Sequence, residues 1–585
     1  MKIKNIFQSN YTEWNKRQPI PIIASPIASE ADRLNEKNNG GHSQSEAEEP
    51  PSSSEHPILK KNRKATSMEL LFDLFFVGAL ATFNSAHDIT TSNSVKSYIS
   101  FITVLWFYWL QATIFDVRFY TDSLVGRIFK VLHIGIMTGF GIVAVKFDVN
   151  ELAEKPIQFQ GVCYLLMASR VVLIAQYIPV AWYIRGYKST FMAKLITIAT
   201  LSIAAIIFLG LGLGAEHIHS SRAHSAWYIV IAFEGVTMIT ISSFWEILSF
   251  KGTPIVERFI GLTLIVLGEG IVGMTDSLKS IAMGTTDISG TSLGLILCHI
   301  LIICFVYALY HDQISENRFG YIRQQFWAIL HFPLHISILI TSKGSRSFIL
   351  YQVAVTVINN AFNSAIMGLP QAKTASDIVN GLKSAVEALS DRLITTDGKP
   401  DFNPIYDKIL AIKDISQSRN EVLILASKFQ AQATIWILHT FSLEVKDARQ
   451  TKGGAEDGDA ALAELRRILG AATIVFRFFL VAAGLTLIVL ALLHWFSKSH
   501  KSRAEFLSVI ITTTFGVFLS LLSIISLYDV PNKITVLQKY IDSAWLTPTV
   551  VLTYLAVIII DNVIIWVSHT RRSKREPPVA YGLVS

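Results

Sequence analysis

The sequence predicts an all-α protein, a polytopic bundle of about twelve transmembrane helices. Hydrophobic residues make up 51% of the 585 residues and charged residues 16%, whereas soluble domains contain about 25% charged residues. The mean hydropathy is +0.43. Apolar stretches of about 20 residues, the length that crosses a bilayer as a helix, recur along the chain. Since none of them alternates as a barrel strand does, we expect helices, which satisfy their own backbone hydrogen bonds in lipid.

The chain begins with a polar segment, residues 1–64, whose centre reads "NEKNNGGHSQSEAEEPPSSSEHP". Such a segment cannot bury enough apolar area to offset its ordering entropy, so we expect a disordered cytoplasmic tail. The apolar stretches follow it in order. The twelve predicted spans are 68–86, 97–115, 128–146, 161–182, 191–213, 226–247, 256–275, 292–310, 324–341, 470–496, 505–528 and 546–568.

Positive charge in the short loops predicts the orientation, because loops rich in Lys and Arg stay on the cytoplasmic side. "KKNRK" (60–64) precedes the first span and "RRSKRE" (571–576) follows the last. An even number of spans places both termini, including the tail 569–585, in the cytoplasm. The formal net charge of +7 is concentrated at such places, which indicates topology rather than nucleic-acid binding.

The membrane region is predicted in two parts, spans 1–9 within 65–341 and spans 10–12 within 470–568. Between them, 342–469 is interpreted as a helical insertion outside the cytoplasm. Its segments 348–369 and 421–441 are apolar, and the alternative is that both cross the membrane, giving fourteen spans. Three asparagines and a lysine in these segments favour an interface. One helix of the insertion is predicted by apolar residues at helical spacing, Ile378, Leu382, Val386, Leu389 and Leu393.

Ionisable side chains lie inside the predicted spans, where each costs about 2.5 to 3.5 kcal/mol on insertion scales. Glu69 and Asp73 are four residues apart in the first span and so share one helix face. Two interpretations are open: a polar pathway that binds a cation or relays protons, or structural ion pairs such as Asp73 or Glu269 with Arg170. Further ionisable residues within or beside spans are Glu234, Glu246, Glu257, Arg258, Arg477 and Asp561.

Two histidines, His331 and His335, have the four-residue spacing of helical zinc ligands. Pro333 lies between them and "HExxH" is absent, so hydrogen bonding or a proton relay is favoured, and no metal or cofactor is expected. The sequence also lacks a nucleophile elbow, a P-loop and a Rossmann glycine pattern. We therefore expect no catalytic residues and no enzyme.

Four separated motifs resemble those of low temperature requirement A (LtrA) membrane proteins. They are "ELLFDLFFV", "WFYWLQATIFDVRFYTD", "VERFIGLTLIVLGEG" and "HFPLH", and they cover residues 65 to about 340. The tail and the insertion depart from the compact bacterial pattern and are similar to a fungal-type elaboration. The resemblance implies a multi-pass membrane protein linked by its family name to growth in the cold, and it implies no reaction. The matching positions are Glu69, Phe72, Asp73, Arg118, Asp122, Glu257, Arg258, Gly268, Glu269, His331 and Pro333.

An internal repeat of six spans in each half is a further prediction. Glu69 begins the first span and Glu257 the seventh, and "ELLFDLFFV" aligns loosely with "ERFIGLTLIV". Six spans per half would relate the halves by an axis along the membrane normal. Such a repeat would bring the two acidic helices together.

Two functions are consistent with these features. The leading hypothesis is a cation or proton transporter or channel whose acids on spans 1 and 7 line the path; the alternative is a sensor or scaffold for stress or cold adaptation with structural ion pairs. The expected partners are the lipid bilayer, a small cation or proton, and further copies of the chain. Acids that face a water-filled cavity would favour transport, and acids paired to arginines would favour the alternative. The candidate residues are Glu69, Asp73, Arg118, Asp122, Arg170, Glu234, Glu257, Arg258, Glu269, His331 and His335.

Overall fold

The computed structural model confirms the all-α prediction: the part of the chain that it describes contains fifteen α-helices, one short 3-10 helix and no strand. It describes residues 20–28, 60, 66–151, 155–217, 223–245, 248, 250, 253–285, 288–312, 321–368, 374–394, 399–413, 418–441, 458–498, 501–524, 539–540 and 543–573. The helices are α1 (Ser67–Ala86), α2 (Ser92–Phe119), α3 (Leu124–Ala144), α4 (Pro156–Ile184), α5 (Lys188–Leu213), α6 (Ser225–Phe244), α7 (Ile255–Gly284), α8 (Gly290–His311), α9 (Tyr321–Gly368), α10 (Ala375–Arg392), α11 (Asn403–Leu410), α12 (Arg419–Thr440), α13 (Gly458–Ser497), α14 (Arg503–Leu522) and α15 (Leu546–Ser573).

Eleven of the described helices are long and apolar enough to cross a membrane, and the chain is a multi-pass membrane protein. The count is one lower than the expected twelve. Helix α7, which holds the predicted span 256–275, is not among the eleven, and its apolar part carries Glu257, Arg258 and Glu269. Helix α12, which holds the apolar segment 421–441, is not among them either.

The chain forms two compact units. The first unit contains α1, most of α2, α3 to α6 and the start of α7, whereas the start of α2 and most of α7 belong to the second unit. The two halves expected from the sequence, and the repeat that would relate them, stay predictions. The first unit comprises Met1–His87, Ile99–Leu262 and Phe319–Phe326, and the second comprises Asp88–Tyr98, Thr263–Arg318 and Trp327–Ser585.

In the first unit, local sequence signals fix where helices begin. Helix α1 starts with a capping box, in which the Thr66 side chain accepts from Glu69 N and the Glu69 carboxylate accepts from Thr66 N. Ser123 caps α3, and Pro156 occupies the first turn of α4, where its missing N–H leaves no hydrogen bond unmade. Helix α2 buries most of its length, including Trp106 and Trp109.

In the second unit, helix α9 differs from the expected boundary at residue 341, because it continues without a break from Tyr321 to Gly368. The segment 348–369 is thus mainly the second half of α9. Its buried face packs with α10, α11 and α12 in one hydrophobic core. The predicted helix of the insertion is confirmed as α10, and every residue of its apolar stripe is buried.

Residues 20–28 belong to the tail for which the composition predicts disorder, yet they lie against the connection between α2 and α3. Their sequence, "IPIIASPIA", is apolar. Leu124 N donates to Pro21 O over 3.0 Å, and Thr121 Oγ1 donates to Ala24 O over 3.3 Å. The remaining tail, apart from residue 60, lies outside the described residues, as do residues 574–585 of the C-terminal tail.

Candidate functional site

The predicted acidic residue of the first span, Asp73, is bound on both carboxylate oxygens. Arg258 Nη1 donates to Oδ2 over 2.7 Å and Arg258 Nη2 donates to Oδ1 over 2.8 Å. Trp109 Nε1 donates to Oδ1 over 2.7 Å. Both charged side chains are at most 2% exposed. This parallel, two-point geometry is the strongest form of arginine–carboxylate pairing, and it joins α1 to the start of α7 inside the first unit.

A second buried pair has the same geometry. Arg170 Nε donates to Glu234 Oε1 over 2.9 Å and Arg170 Nη2 donates to Oε2 over 2.7 Å. Gln111 Nε2 also donates to Oε2, over 2.6 Å, and Arg170 Nη1 donates to Ser169 Oγ over 2.8 Å. The pair ties α4 to α6, with α2 supplying the glutamine. Arg170 therefore pairs with Glu234, and the expected pairing with Asp73 or Glu269 is wrong.

A third pair contains two residues that sequence reasoning missed. Lys130 on α3 donates to Asp116 on α2, and both side chains are almost fully buried. Glu69 lies near this pair and near Arg258, while its carboxylate accepts from Thr66 N over 3.1 Å. The first unit is thus cross-linked by charge at several helix contacts.

Two charged residues that follow the second predicted span, Arg118 and Asp122, do not belong to these buried ion pairs. Asp122 accepts from Arg127 Nε and Nη2, each over 2.9 Å, on the protein surface, and these hydrogen bonds hold the pKa of the Asp122 carboxyl below its usual value. Arg118 is buried, but its contacts are Ser242 Oγ at 2.8 Å and the ring of Phe250 at 4.5 Å. Asp122 therefore lies away from the buried pairs, and Arg118 shares none of their carboxylates.

In the second unit, the predicted histidines are hydrogen bonded. His331 Nδ1 lies 2.9 Å from Trp327 O, and its Nε2 lies 3.0 Å from Tyr310 Oη. His335 Nε2 lies 2.9 Å from Thr263 Oγ1. This favours the hydrogen-bonding interpretation of the two side chains. Within the described part of the chain, no group of three metal-ligating side chains is assembled.

The remaining predicted acids lie in different surroundings. Glu269 is buried in the second unit, in the neighbourhood of Lys343. Lys343 Nζ also lies 3.6 Å from Asp88 Oδ1. Glu257 is exposed at the start of α7. Glu246 lies outside the described residues.

The second unit contains a cavity of about 790 Å³, lined by polar and apolar side chains, that the sequence did not predict as a site. It lies among the ends of α8 and α13, the start of α14 and the C-terminal half of α15. Asp561 lines it, and one oxygen of this carboxylate, Oδ1, is buried without a hydrogen-bond partner among the described residues. The other ionisable side chains that line the cavity are Asp312, His494, Lys498, Glu505 and His569.

The model of one protein family, described as bacterial low temperature requirement A protein (LtrA), matches residues 64–374, more than half of the chain. The chain belongs to the LtrA family. No curated protein and no solved structure matches it.

In this LtrA protein, the fold brings two of the family-like motifs together. Asp73 from "ELLFDLFFV" meets Arg258 from "VERFIGLTLIVLGEG", 185 residues later. Phe72, beside Asp73, packs edge-on against Tyr108. His331 belongs to the network in the second unit. The motifs therefore contribute to local hydrogen-bond networks within each unit.

Of the side chains that bind the buried acids and were not predicted, some could have been found from the sequence and others could not. Lys130 lies inside the predicted span 128–146, so its charge could have been paired with Asp116, one residue after the preceding predicted span. Trp109 and Gln111 occur in an aromatic-rich helix, and nothing in their local sequence distinguishes them from packing residues.

Proposed function

We propose that this LtrA-family protein is a membrane sensor or scaffold in which Asp73 of span 1 and Arg258 of span 7 hold helices together and conduct no ions. One observation carries the proposal: both oxygens of Asp73 accept hydrogen bonds from buried donors of Arg258 and Trp109. A cation-binding carboxylate needs lone pairs directed at the ion. Here, Arg258 occupies the position that a cation would take.

The free-energy cost of separating Arg258 from Asp73 supports the same conclusion. A cation or proton that displaced Arg258 would leave its guanidinium buried without a counter-charge. Removal of one partner from a buried pair destabilises a protein by about 3 to 5 kcal/mol. A transport cycle that used Asp73 would incur this free-energy cost each time an ion bound, because Arg258 has a fully buried side chain. The pair is therefore better suited to holding α1 and α7 in one arrangement.

A double-mutant cycle tests the proposal. We expect Asp73→Asn and Arg258→Gln each to lower the free energy of unfolding by about 3 to 5 kcal/mol, and the double variant to lose less than the sum of the two. The readout is the unfolding of the purified protein in detergent, followed by tryptophan fluorescence. The matched control is Asp122→Asn, which breaks an equally well-formed arginine pair on the surface. We expect a far smaller loss than for Asp73→Asn, because exposed pairs contribute little. Additive single effects would contradict the proposal.

A second candidate function, cation or proton transport, is supported by the cavity of the second unit. Asp561 lies in the membrane-spanning helix α15 and is among the residues that line the cavity. One of its carboxylate oxygens makes no hydrogen bond within the described residues. Intramembrane acids beside a cavity are typical of ion and proton pathways.

The test of this candidate is ion flux in liposomes. We expect Asp561→Asn to remove cation or proton flux without loss of folded protein, whereas Asp276→Asn, an exposed acid on α7, leaves flux unchanged. Equal flux for both variants would rule the candidate out. The cytoplasmic position of both termini belongs to the same proposal, and it is supported by the Lys and Arg of the loops.

A further inference from the structure

Two buried cations of the first unit, Arg118 and Lys194, have no carboxylate partner within the described residues. Lys194 is 1% and Arg118 is 6% exposed. Lys194 Nζ is near the rings of Phe119 and Tyr177, at 4.2 and 5.4 Å. Such contacts are weaker than an ion pair. The two cations also repel each other, so this corner of the unit holds unbalanced positive charge.

The charge census of the first unit confirms the imbalance. Three of its buried cations pair with buried acids, and Glu69 remains as a fourth acid beside Lys130 and Arg258. The surplus therefore lies at Arg118 and Lys194. Among the described residues of the unit, the buried charged side chains are Glu69, Asp73, Asp116 and Glu234 against Arg118, Lys130, Arg170, Lys194 and Arg258.

Unused hydrogen-bonding groups occur at the same place. Arg118 Nε and Thr190 Oγ1 are buried and make no hydrogen bond in the described structure. Thr190 is four residues before Lys194 on α5, so the two side chains share a helix face. A buried, unsatisfied polar group costs about 1 to 3 kcal/mol, and a charged group costs more. Two such groups beside the unpaired ammonium group of Lys194 suit the binding of an anion.

We propose that Arg118, Lys194 and Thr190 bind a phosphate group, supplied either by a phospholipid headgroup or by free inorganic phosphate. Phosphate accepts several hydrogen bonds at once and matches arginine donors well. The site is near the ends of α4 and α5, where Arg185 and Lys188 are exposed. Basic pockets between transmembrane helices at the membrane surface suit acidic headgroups. The flexible stem of Lys194 lets its ammonium leave the Phe119 ring to meet the ligand.

The test uses the purified full-length protein in a nonionic detergent. Short-chain phosphatidic acid and inorganic phosphate are titrated separately, with diacylglycerol as the phosphate-free lipid and chloride at matched ionic strength. Binding is followed by the shift in unfolding temperature and by native mass spectrometry. We expect a saturable shift with phosphatidic acid. Lys194→Gln should weaken binding by about tenfold or more, as expected for a lost charged hydrogen bond. The control Lys96→Gln, an exposed lysine at the other end of α2, should leave binding unchanged.

The outcomes separate the two sources. Binding of phosphatidic acid alone supports the lipid headgroup, and binding of both phosphate ligands supports a site for the free ion. No binding, equal shifts with chloride or diacylglycerol, or wild-type binding by Lys194→Gln overturns the proposal.

A second variant keeps the test valid if the charge-removing variants fold poorly. Thr190→Val removes a hydroxyl without a change in charge. We expect weaker phosphate binding and, in the absence of ligand, a stability at or above that of the wild type, because an unsatisfied hydroxyl is removed. Wild-type phosphate binding by this variant would exclude Thr190 from the site. The site is separate from the Asp73–Arg258 pair, so the double-mutant cycle of that pair can succeed or fail independently.

Discussion

Glu234→Gln is the most informative substitution in the first unit, because it removes a single charge with little change in side-chain volume. The wild-type carboxylate accepts two hydrogen bonds from Arg170 and one from Gln111. After the substitution, Arg170 keeps Ser169 Oγ and at most one amide oxygen. Its guanidinium, which is fully buried, loses its counter-charge.

The expected magnitude follows from that environment. A buried pair that loses one partner destabilises a protein by about 3 to 5 kcal/mol, so the unfolding equilibrium should shift by roughly two to four orders of magnitude. Arg170→Gln should have a similar effect, since it leaves the Glu234 carboxylate buried beside Gln111 alone. The double variant carries neither charge, and it should be more stable than the two separate losses predict.

The assay is equilibrium unfolding in mixed micelles, with tryptophan fluorescence as the probe. Glu216→Gln makes the same chemical change at an exposed residue and should match the wild type. If Glu234→Gln were as stable as this control, or if the two single effects were additive, the pair would not contribute to stability as its geometry implies.

Two further predictions concern helix packing and pH. Gly484 of α13 and Gly516 of α14 touch, so that a Cβ on Gly516 would lie only 2.7 Å from Gly484 O. Gly484→Ala should therefore destabilise the protein by about 1 to 3 kcal/mol through overpacking. Gly470 lies in the same helix with open space around it, so Gly470→Ala should raise helix stability by about 0.5 to 1 kcal/mol. Thermal unfolding of the two variants distinguishes these effects. The pKa of Asp122 is lowered from its ordinary 3.8 by Arg127, so the small stabilisation from this pair is present at neutral pH and is lost as the pH falls through the pKa of the folded state. Asp122→Asn should flatten that part of the acid unfolding curve, and an unchanged curve would contradict the assignment.

The sequence was sufficient to predict most of the helices because each of these is specified locally. A run of about 20 apolar residues predicts a span wherever it occurs, and the stripe on α10 predicted its buried face. The boundary at residue 341 could not be predicted in this way. Helix α9 carries Lys343 and Arg346 in its middle, and polar residues there suggest a helix end, whereas the fold buries Lys343 near Asp88 and Tyr98.

The candidate site was only partly predictable for a related reason. The positions of Asp73, Arg258, Arg170 and Glu234 stood out because charge inside a span is unusual. Their pairing could not be predicted, since it depends on contacts between residues as far apart as Asp73 and Arg258. Lys194 lies in a predicted span, but a lysine near a helix end normally reaches the membrane surface. Only the packing of rings around it shows that it is enclosed.

Ion flux through a double variant that lacks both charges of the Asp73–Arg258 pair tests the central claim most directly. Wild-type protein and the Asp73→Asn/Arg258→Gln double variant are reconstituted at equal density in liposomes, and cation and proton flux are measured in both. If the pair is structural, the folded double variant retains whatever flux the wild type shows. A folded double variant that has lost the wild-type flux would show that Asp73 lies on the ion path.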